Sequence, residues 1–314
     1  MKKSKSIIFI LSPIDFIVIV FYSMLTILNI VYFDRVQYAG YLIGANFLLF
    51  LFVFFVAYSD NQNKSKIWLH IHRWYIAPLI LLSFKELYLM IKPIRMIDYD
   101  SVLISIDRFI FGTDPTVFLY KFANPVLTEI LQIAYSTFFF LPIILGIELL
   151  LKHKTDEFYY ATFLVLYGFF LSYIGYILVP AIGPRFTLHD FHLTNKELPG
   201  LFLTNFLREV INSGESIPNG TLNPAEVVQR DVFPSGHTQM TLIVMYLAYK
   251  FNVKLKYFFW ITGSLLIIAT VYLRYHYVID LIGGAVFMWF TIWSGYYLYN
   301  WWQKLRGEKE FRYN

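Results

Sequence analysis

Apolar runs of about 15 to 25 residues alternate along the chain with short polar breaks, and as helices such runs cross a hydrocarbon core of about 30 Å. Eight spans are expected, at 14–33, 41–58, 74–91, 126–150, 158–180, 236–250, 257–273 and 279–302. The first follows Met1-Lys-Lys-Ser-Lys5 in the manner of a signal peptide. Pro13 and Asp15 break it, it continues to about Phe33, and no small-residue cleavage site follows, so it reads as an uncleaved span. Lys85 and Glu86 interrupt the third near one end and are expected to snorkel at the interface. Residues 92–125 are too polar to span. Within them 101–112 has the spacing of an interfacial amphipathic helix closed by Gly112, and Pro115 begins the approach to the next span. The longest loop, 181–235, has helical spacing from Leu198 to Ile211 and is expected to lie along the membrane surface. No internal repeat is evident. The chain reads as one structural unit, in which 1–125 supplies the N-terminal spans and interfacial helix and 126–314 the remaining core.

Charge adds a direction to this pattern. An even number of spans puts both termini on one side, and the basic clusters fall there: Lys2, Lys3 and Lys5; Lys64, Lys66 and Arg73; Lys152 and Lys154; Lys250, Lys254 and Lys256; Lys304, Arg306, Lys309 and Arg312. That side is expected to be the cytoplasm. Arg35, Lys92, Arg95 and Arg108 fall on the other. Of 314 residues 58% are hydrophobic and only 15% charged, which excludes an ordinary soluble domain and leaves an all-α, polytopic helical bundle with N-in/C-in topology. The formal charge of +5 is spent on those short clusters, so no nucleic-acid partner is expected. The absence of cysteine excludes disulfides, thiolate metal sites and cysteine nucleophiles.

Three polar marks then share the outer, extracytoplasmic face. In Pro180-Ala-Ile-Gly-Pro-Arg185, two prolines and a glycine stop the fifth span and leave Arg185 just outside it. Alone, Arg185 reads as an interfacial anchor. In Phe233-Pro-Ser-Gly-His237, Ser235 is a good N-cap, Gly236 lets the backbone approach a ligand, and the free N–H groups of the next turn suit an anion. His237 lies beside that anion, where it can pass a proton to a leaving oxygen. In Val271-Tyr-Leu-Arg-Tyr-His-Tyr-Val-Ile-Asp280, His276 and Asp280 are four apart and share a face if the helix continues. A carboxylate on one ring nitrogen would leave the other free as a nucleophile. The same pair also suits a purely structural contact or a proton relay. His70 and His72 beside Arg73, and His189 with His192, are expected to be solvated.

The Pro-Ser-Gly-His block at 234–237, followed about forty residues later by Tyr272-Leu-x-x-His276-Tyr-x-x-Asp280 and Gly284, resembles the type 2 phosphatidic acid phosphatase superfamily of membrane lipid phosphatases and phosphotransferases. The likeness covers roughly the last half of the chain. It implies a core made by the last five or six spans, with His276 as the nucleophile that forms a phosphohistidine, Asp280 as its partner and His237 as general acid and then base. Ser235, Gly236 and Arg185 would bind the phosphate, and no metal or other cofactor is implied. Two positions depart from the family's lipid phosphatases. Leu178 stands where they carry a lysine, and Ala269 and Thr270 stand where they carry a Ser-Arg pair, the nearby guanidinium being Arg274 instead. With Asp107-Arg-x-x-Phe-Gly112-x-x-Pro115, the pattern is similar to the branch that contains inositol phosphorylceramide synthases, and His-Tyr-x-x-Asp is similar to that of sphingomyelin synthases.

The expected activity is cleavage of a lipid phosphoester or pyrophosphate bond at the outer membrane face, with Arg185, Arg274 and the helix end at Ser235 around the phosphoryl group. The expected partners are a lipid phosphate or phospholipid substrate and the surrounding membrane lipids. Water as acceptor makes a phosphatase; a lipid or sugar hydroxyl makes a phosphotransferase, including one that transfers an inositolphosphoryl-type head group. A non-catalytic transporter or lipid-binding scaffold is the alternative from another class. Nothing in the sequence bears on oligomeric state.

Overall fold

The computed structural model of the chain describes residues 10–63 and 65–313. Lys2, Lys3, Lys5 and Lys64, assigned above to the basic face, lie outside the described residues. All regular structure among the described residues is helical: α1 (Pro13–Val31), α2 (Ala39–Asn63), α3 (Lys66–Trp74), α4 (Ile76–Ile94), α5 (Asp100–Phe111), α6 (Pro115–Leu119), α7 (Pro125–Ser136), α8 (Phe140–Leu151), α9 (Thr155–Leu178), α10 (Pro184–Thr187), α11 (Thr194–Glu197), α12 (Thr204–Gly214), α13 (Pro224–Val227), α14 (Gly236–Lys250), α15 (Lys256–Tyr272) and α16 (Val278–Leu305).

The eight expected spans correspond to α1, α2, α3 with α4, α7 with α8, α9, α14, α15 and α16. Five of them, α1, α2, α3–α4, α9 and α16, are long and apolar enough to cross a membrane unaided. The 126–150 span is bent by 55° between α7 and α8. Pro142 lies just past the bend; it has no N–H to bond the carbonyl four residues back, and its ring crowds that position. The 15 residues of α14 and 17 of α15 rise only about 22 and 26 Å, less than the hydrocarbon thickness.

Of these two short helices, α14 is at the centre of the bundle. α14 packs against α8, α9, α15 and α16, and its polar positions are satisfied there. Gln239 bonds the Gly168 carbonyl at 3.1 Å, Thr291 Oγ1 at 3.0 Å and the Ser172 hydroxyl. Gly284 lets α16 approach so closely that a Cβ there would collide with the Ser235 carbonyl. That approach sets the start of α14 against the start of α16, where two of the three polar marks sit.

The helices alternate in direction, and hydrogen bonds identify the two ends of the bundle. At the basic end, Trp302 Nε1 bonds the Leu11 carbonyl at 2.9 Å, which brings the start of α1 to the end of α16. Lys154 reaches the Phe251 carbonyl at 2.7 Å. Here His72 is clamped between Asp60 (2.8 Å) and Asp15 (2.9 Å), with Tyr75 also on Asp15, and so is not a solvated histidine. The buried carboxylate of Asp15 draws the ring in. At the other end, Arg95 bonds the Leu178 carbonyl at 3.0 Å and Thr128 meets Tyr272 at 2.8 Å. Lys85 and Glu86 part company there. Lys85 reaches Gly214 and Ser216, whereas Glu86 is buried under the side-chain amides of Asn29 and Asn46. The expected snorkelling therefore describes the lysine alone.

The connections at this second end build the frame of the site. α5 closes at Gly112 in the left-handed conformation, as its sequence predicts. In the long loop, helix begins at Thr204 instead of Leu198, because residues 201–204 turn their N–H groups onto the Glu129 carboxylate of α7.

Candidate active site

Two carboxylates seven residues apart on α5 hold the site together. Asp100 accepts the N–H groups of Ile182 (3.0 Å) and Gly183 (2.8 Å), which fixes the Pro180–Arg185 turn. Gly183 has φ +94°, a conformation open to glycine and strained for other residues. Asp107 accepts the N–H groups of Val278 and Ile279, each at 2.8 Å, and so caps α16. Tyr277 completes the link with a 2.8 Å bond from its hydroxyl to Asp100. α5, upstream of residue 126, is thus part of the site's frame.

Ser235 caps α14 as expected, its Oγ accepting from Thr238 N at 3.2 Å, while its own N–H donates to the Asp280 carbonyl at 2.9 Å. Gly236 lies against the Tyr176 hydroxyl, where a Cβ would collide. His237 occupies the first turn. Its ring stacks on Tyr135 (4.6 Å between centroids) and is flanked by Phe138 (4.2 Å). Tyr135 stacks in turn on Tyr275, and the Arg185 guanidinium lies 4.2 Å from the Tyr275 ring centroid. An arginine and a histidine from different polar marks are thereby held at two ends of one aromatic stack.

His276 precedes α16 instead of lying on it. Its Nδ1 is 3.0 Å from the Val232 carbonyl and 3.5 Å from Asp280 Oδ2, while its Nε2 faces His237 Nδ1 at 3.4 Å. Asp280 Oδ2 receives the Tyr277 N–H at 2.7 Å, as the third residue of a capping box, and Oδ1 is buried with no partner. The spacing of four brings His276 and Asp280 together, but a backbone carbonyl makes the closer contact to the ring. A carbonyl only accepts, so Nδ1 carries the hydrogen and the Nε2 lone pair is directed at His237.

The two histidines line a narrow, nearly closed cleft of about 10 Å³, lined also by Arg185, Tyr135, Tyr275 and two carboxylates, Glu215 and Asp231. Arg185 is buried and ion-paired with Glu215, and it bonds Asn212 at 3.0 Å. Enclosure by protein, reinforced by the nearby Glu215 charge, pushes the Asp231 carboxyl up to about 7, against the pull of His276 and Arg185. Burial lowers His276 to about 4. Arg185 and Tyr275 also wall a larger open chamber of about 750 Å³, to which Arg208, Asn195 and Thr221 contribute.

Arg274 is not brought into the cleft. Its guanidinium pairs with Glu197 and lies 5.2 Å from the Tyr120 ring centroid. His189 is half-buried on Thr116 (2.9 Å), not solvated, and burial beside Arg274 lowers it to about 4. Among the described residues no group of three or more His, Asp or Glu side chains is arranged to hold a metal ion. Sequence reading did not single out Asp100, Glu215, Asp231, Tyr135 or Tyr275 as site residues. The 100/107 spacing on one face of an amphipathic helix is the signal that was available for the first.

Fold and site together define a polytopic helical membrane protein with a histidine pair and a buried arginine gathered at one end of its bundle. The chain belongs to the PAP2 superfamily, whose family model matches residues 102–294. The match begins within α5, in keeping with that helix's place in the frame. Over 131 residues the chain is 27% identical to a PA-phosphatase related-family protein of Dictyostelium discoideum; the aligned stretch is 41% of this chain and 22% of that protein's length. No solved structure matches the chain.

Proposed function

We propose that this chain is a membrane lipid phosphatase or phosphotransferase that works through a phosphohistidine. The observation that carries this reading is the facing of His276 Nε2 and His237 Nδ1, 3.4 Å apart, in a cleft shared with Arg185. Nε2 of His276 attacks phosphorus, the P–O bond to the leaving group breaks, and His237 supplies the proton that the leaving oxygen takes. The rings must part to admit the phosphoryl group, since 3.4 Å is contact distance. His237 then removes the proton of the acceptor hydroxyl as its oxygen bonds phosphorus and the P–N bond breaks. Arg185 holds the phosphoryl oxygens, and the positive end of α14, whose first turn carries His237 into the cleft, favours their charge. Asp280 stands beside the ring that becomes cationic. Basic residues at the opposite end of the bundle support an extracytoplasmic site.

The test is phosphoenzyme trapping and phosphate release from a panel of lipid phosphates by the purified protein, for wild type, His276→Ala and His237→Ala. Both variants are expected to lose turnover while remaining folded. A folded His276→Ala protein with full activity would exclude the mechanism.

A second reading, transfer of a head group from a phospholipid to a hydroxyl acceptor, is favoured by one observation. Glu215, paired with Arg185, and Asp231 when ionised place negative charge around the arginine of the cleft, which suits a monoanionic phosphodiester better than a dianionic phosphomonoester. Assays with and without an added alcohol acceptor distinguish the two.

A further inference from the structure

Residues 274, 275 and 276 send their side chains to three places: Tyr275 under Arg185, His276 into the cleft, and Arg274 away to Glu197. The turn that separates them is tight. Arg274 N bonds Val271 O at 3.0 Å, and the N–H groups of Tyr275 and His276 both return to Thr270 O, at 2.9 and 3.0 Å. The backbone of the candidate nucleophile is thus fastened to the end of α15. Arg274 itself has φ +68°, the left-handed region that an L side chain occupies only when its surroundings impose it. Those surroundings are in plain view. The arginine is 1% exposed, its guanidinium is paired with the last residue of α11, and the ring of Tyr120 lies beside it.

We propose that Arg274 is a positioning residue, whose tie to Glu197 holds the left-handed turn and through it His276, and that it is not a ligand of the phosphate. The inference rests on the reading of His276 as nucleophile. A phosphate ligand would be expected among the side chains that line the cleft, and Arg274 is absent from them. Its charge is already met by Glu197. Removal of Glu197 leaves the Arg274 charge in a dry place, and removal of Arg274 takes away the tie itself, so both losses act on the same turn.

The experiment measures phosphoenzyme formation, kcat and KM for a lipid phosphate, and inhibition by inorganic phosphate, in wild type, Arg274→Ala, Arg274→Gly, Glu197→Gln and the Arg274→Ala/Glu197→Gln double variant. Misplacing the turn is expected to lower kcat about tenfold in Arg274→Ala and Glu197→Gln, with KM and phosphate inhibition little changed and the double variant no worse than the poorer single. Arg274→Gly is expected to recover part of the loss, because glycine adopts φ +68° freely. Glu197 is partly exposed, so its glutamine variant serves if Arg274→Ala does not fold. Equal losses in Arg274→Gly and Arg274→Ala with a raised KM, stronger phosphate inhibition in Glu197→Gln, or wild-type kcat in Glu197→Gln would each overturn the proposal. Absence of a phosphoenzyme in wild type overturns the reading of His276, and this inference with it.

Discussion

The carbonyl oxygen of Val232 lies 3.0 Å from Nδ1 of His276, nearer than the Asp280 carboxylate at 3.5 Å. The imidazole is therefore oriented from two sides, by the backbone just ahead of Ser235 and by the first turn of α16. Asp280 has two tasks, since the same oxygen that approaches the ring caps its own helix through Tyr277 N.

Those tasks separate on substitution. Asp280→Asn keeps an acceptor oxygen for Tyr277 N and removes the charge, so it is expected to lose about 10- to 100-fold in kcat with little loss of stability. Asp280→Ala also removes the cap and is expected to cost about 1 kcal/mol of stability besides. Thermal unfolding and turnover, measured on both variants, check the division. Full activity in Asp280→Asn would mean that the Val232 carbonyl alone suffices.

The Arg185–Glu215 pair occupies the guanidinium that a phosphoryl group would need. Substrate entry must then displace a carboxylate. Glu215→Gln is expected to lower KM for a phosphomonoester by about fivefold, on the order of 1 kcal/mol, and to strengthen inhibition by inorganic phosphate. Arg185→Ala is expected to lower kcat/KM by about 100-fold. Inhibition constants for inorganic phosphate, compared across the two variants, give the sign directly.

Asp231 predicts a pH dependence. Its carboxyl is raised to about 7 and His276 is lowered to about 4, so the nucleophile is already unprotonated across the range in which Asp231 gains its charge. Turnover of an anionic lipid phosphate is expected to fall between pH 6 and pH 8 as that charge appears, and Asp231→Asn should flatten this limb. Comparing the two proteins on one substrate cancels the substrate's own ionisation. For stability the signs are opposite. The folded state keeps the Asp231 proton that the unfolded chain releases, so that contribution is full below the ordinary value of 3.8 and lost as pH rises through 7. The unfolded chain takes up a proton on His276 between 6.5 and 4, so that contribution is present above 6.5 and lost as pH falls through 4.

The sequence made the helical class and the places of the spans legible, because hydropathy and helix length are local properties. It also marked Arg185, Ser235, His237, His276 and Asp280, each next to a helix end announced by proline, glycine or a capping residue. The bend at 137–139 was hidden inside a continuous apolar run. Glu215 and Asp231 were hidden for another reason: a carboxylate in a long loop carries no periodicity, and only the folding of α12 back over the bundle brings Glu215 to Arg185. Arg274 shows the limit of proximity in sequence, since a left-handed turn sends it away from the histidine two residues later.

Glu129 offers a test of how that long loop is held. Its carboxylate accepts the N–H groups of Leu201 (2.8 Å), Phe202 (3.2 Å), Leu203 (2.7 Å) and Thr204 (3.3 Å), and the Thr204 hydroxyl at 2.6 Å. One anion thus gathers the donors of the turn that leads into α12 and the first donor of that helix, which carries Arg208 and Asn212 to the chamber and ends next to Glu215. Glutamine has nearly the same shape, but its NH2 group donates where only acceptors fit. Glu129→Gln is therefore expected to speed amide exchange and proteolytic cleavage at 198–205 while leaving the melting of the helical core nearly unchanged. It should also lower kcat/KM, because Glu215 and the chamber wall move with α12. Unchanged exchange at 201–204 would show that the burial of Leu198, which is fully enclosed beside this turn, holds the loop without the carboxylate.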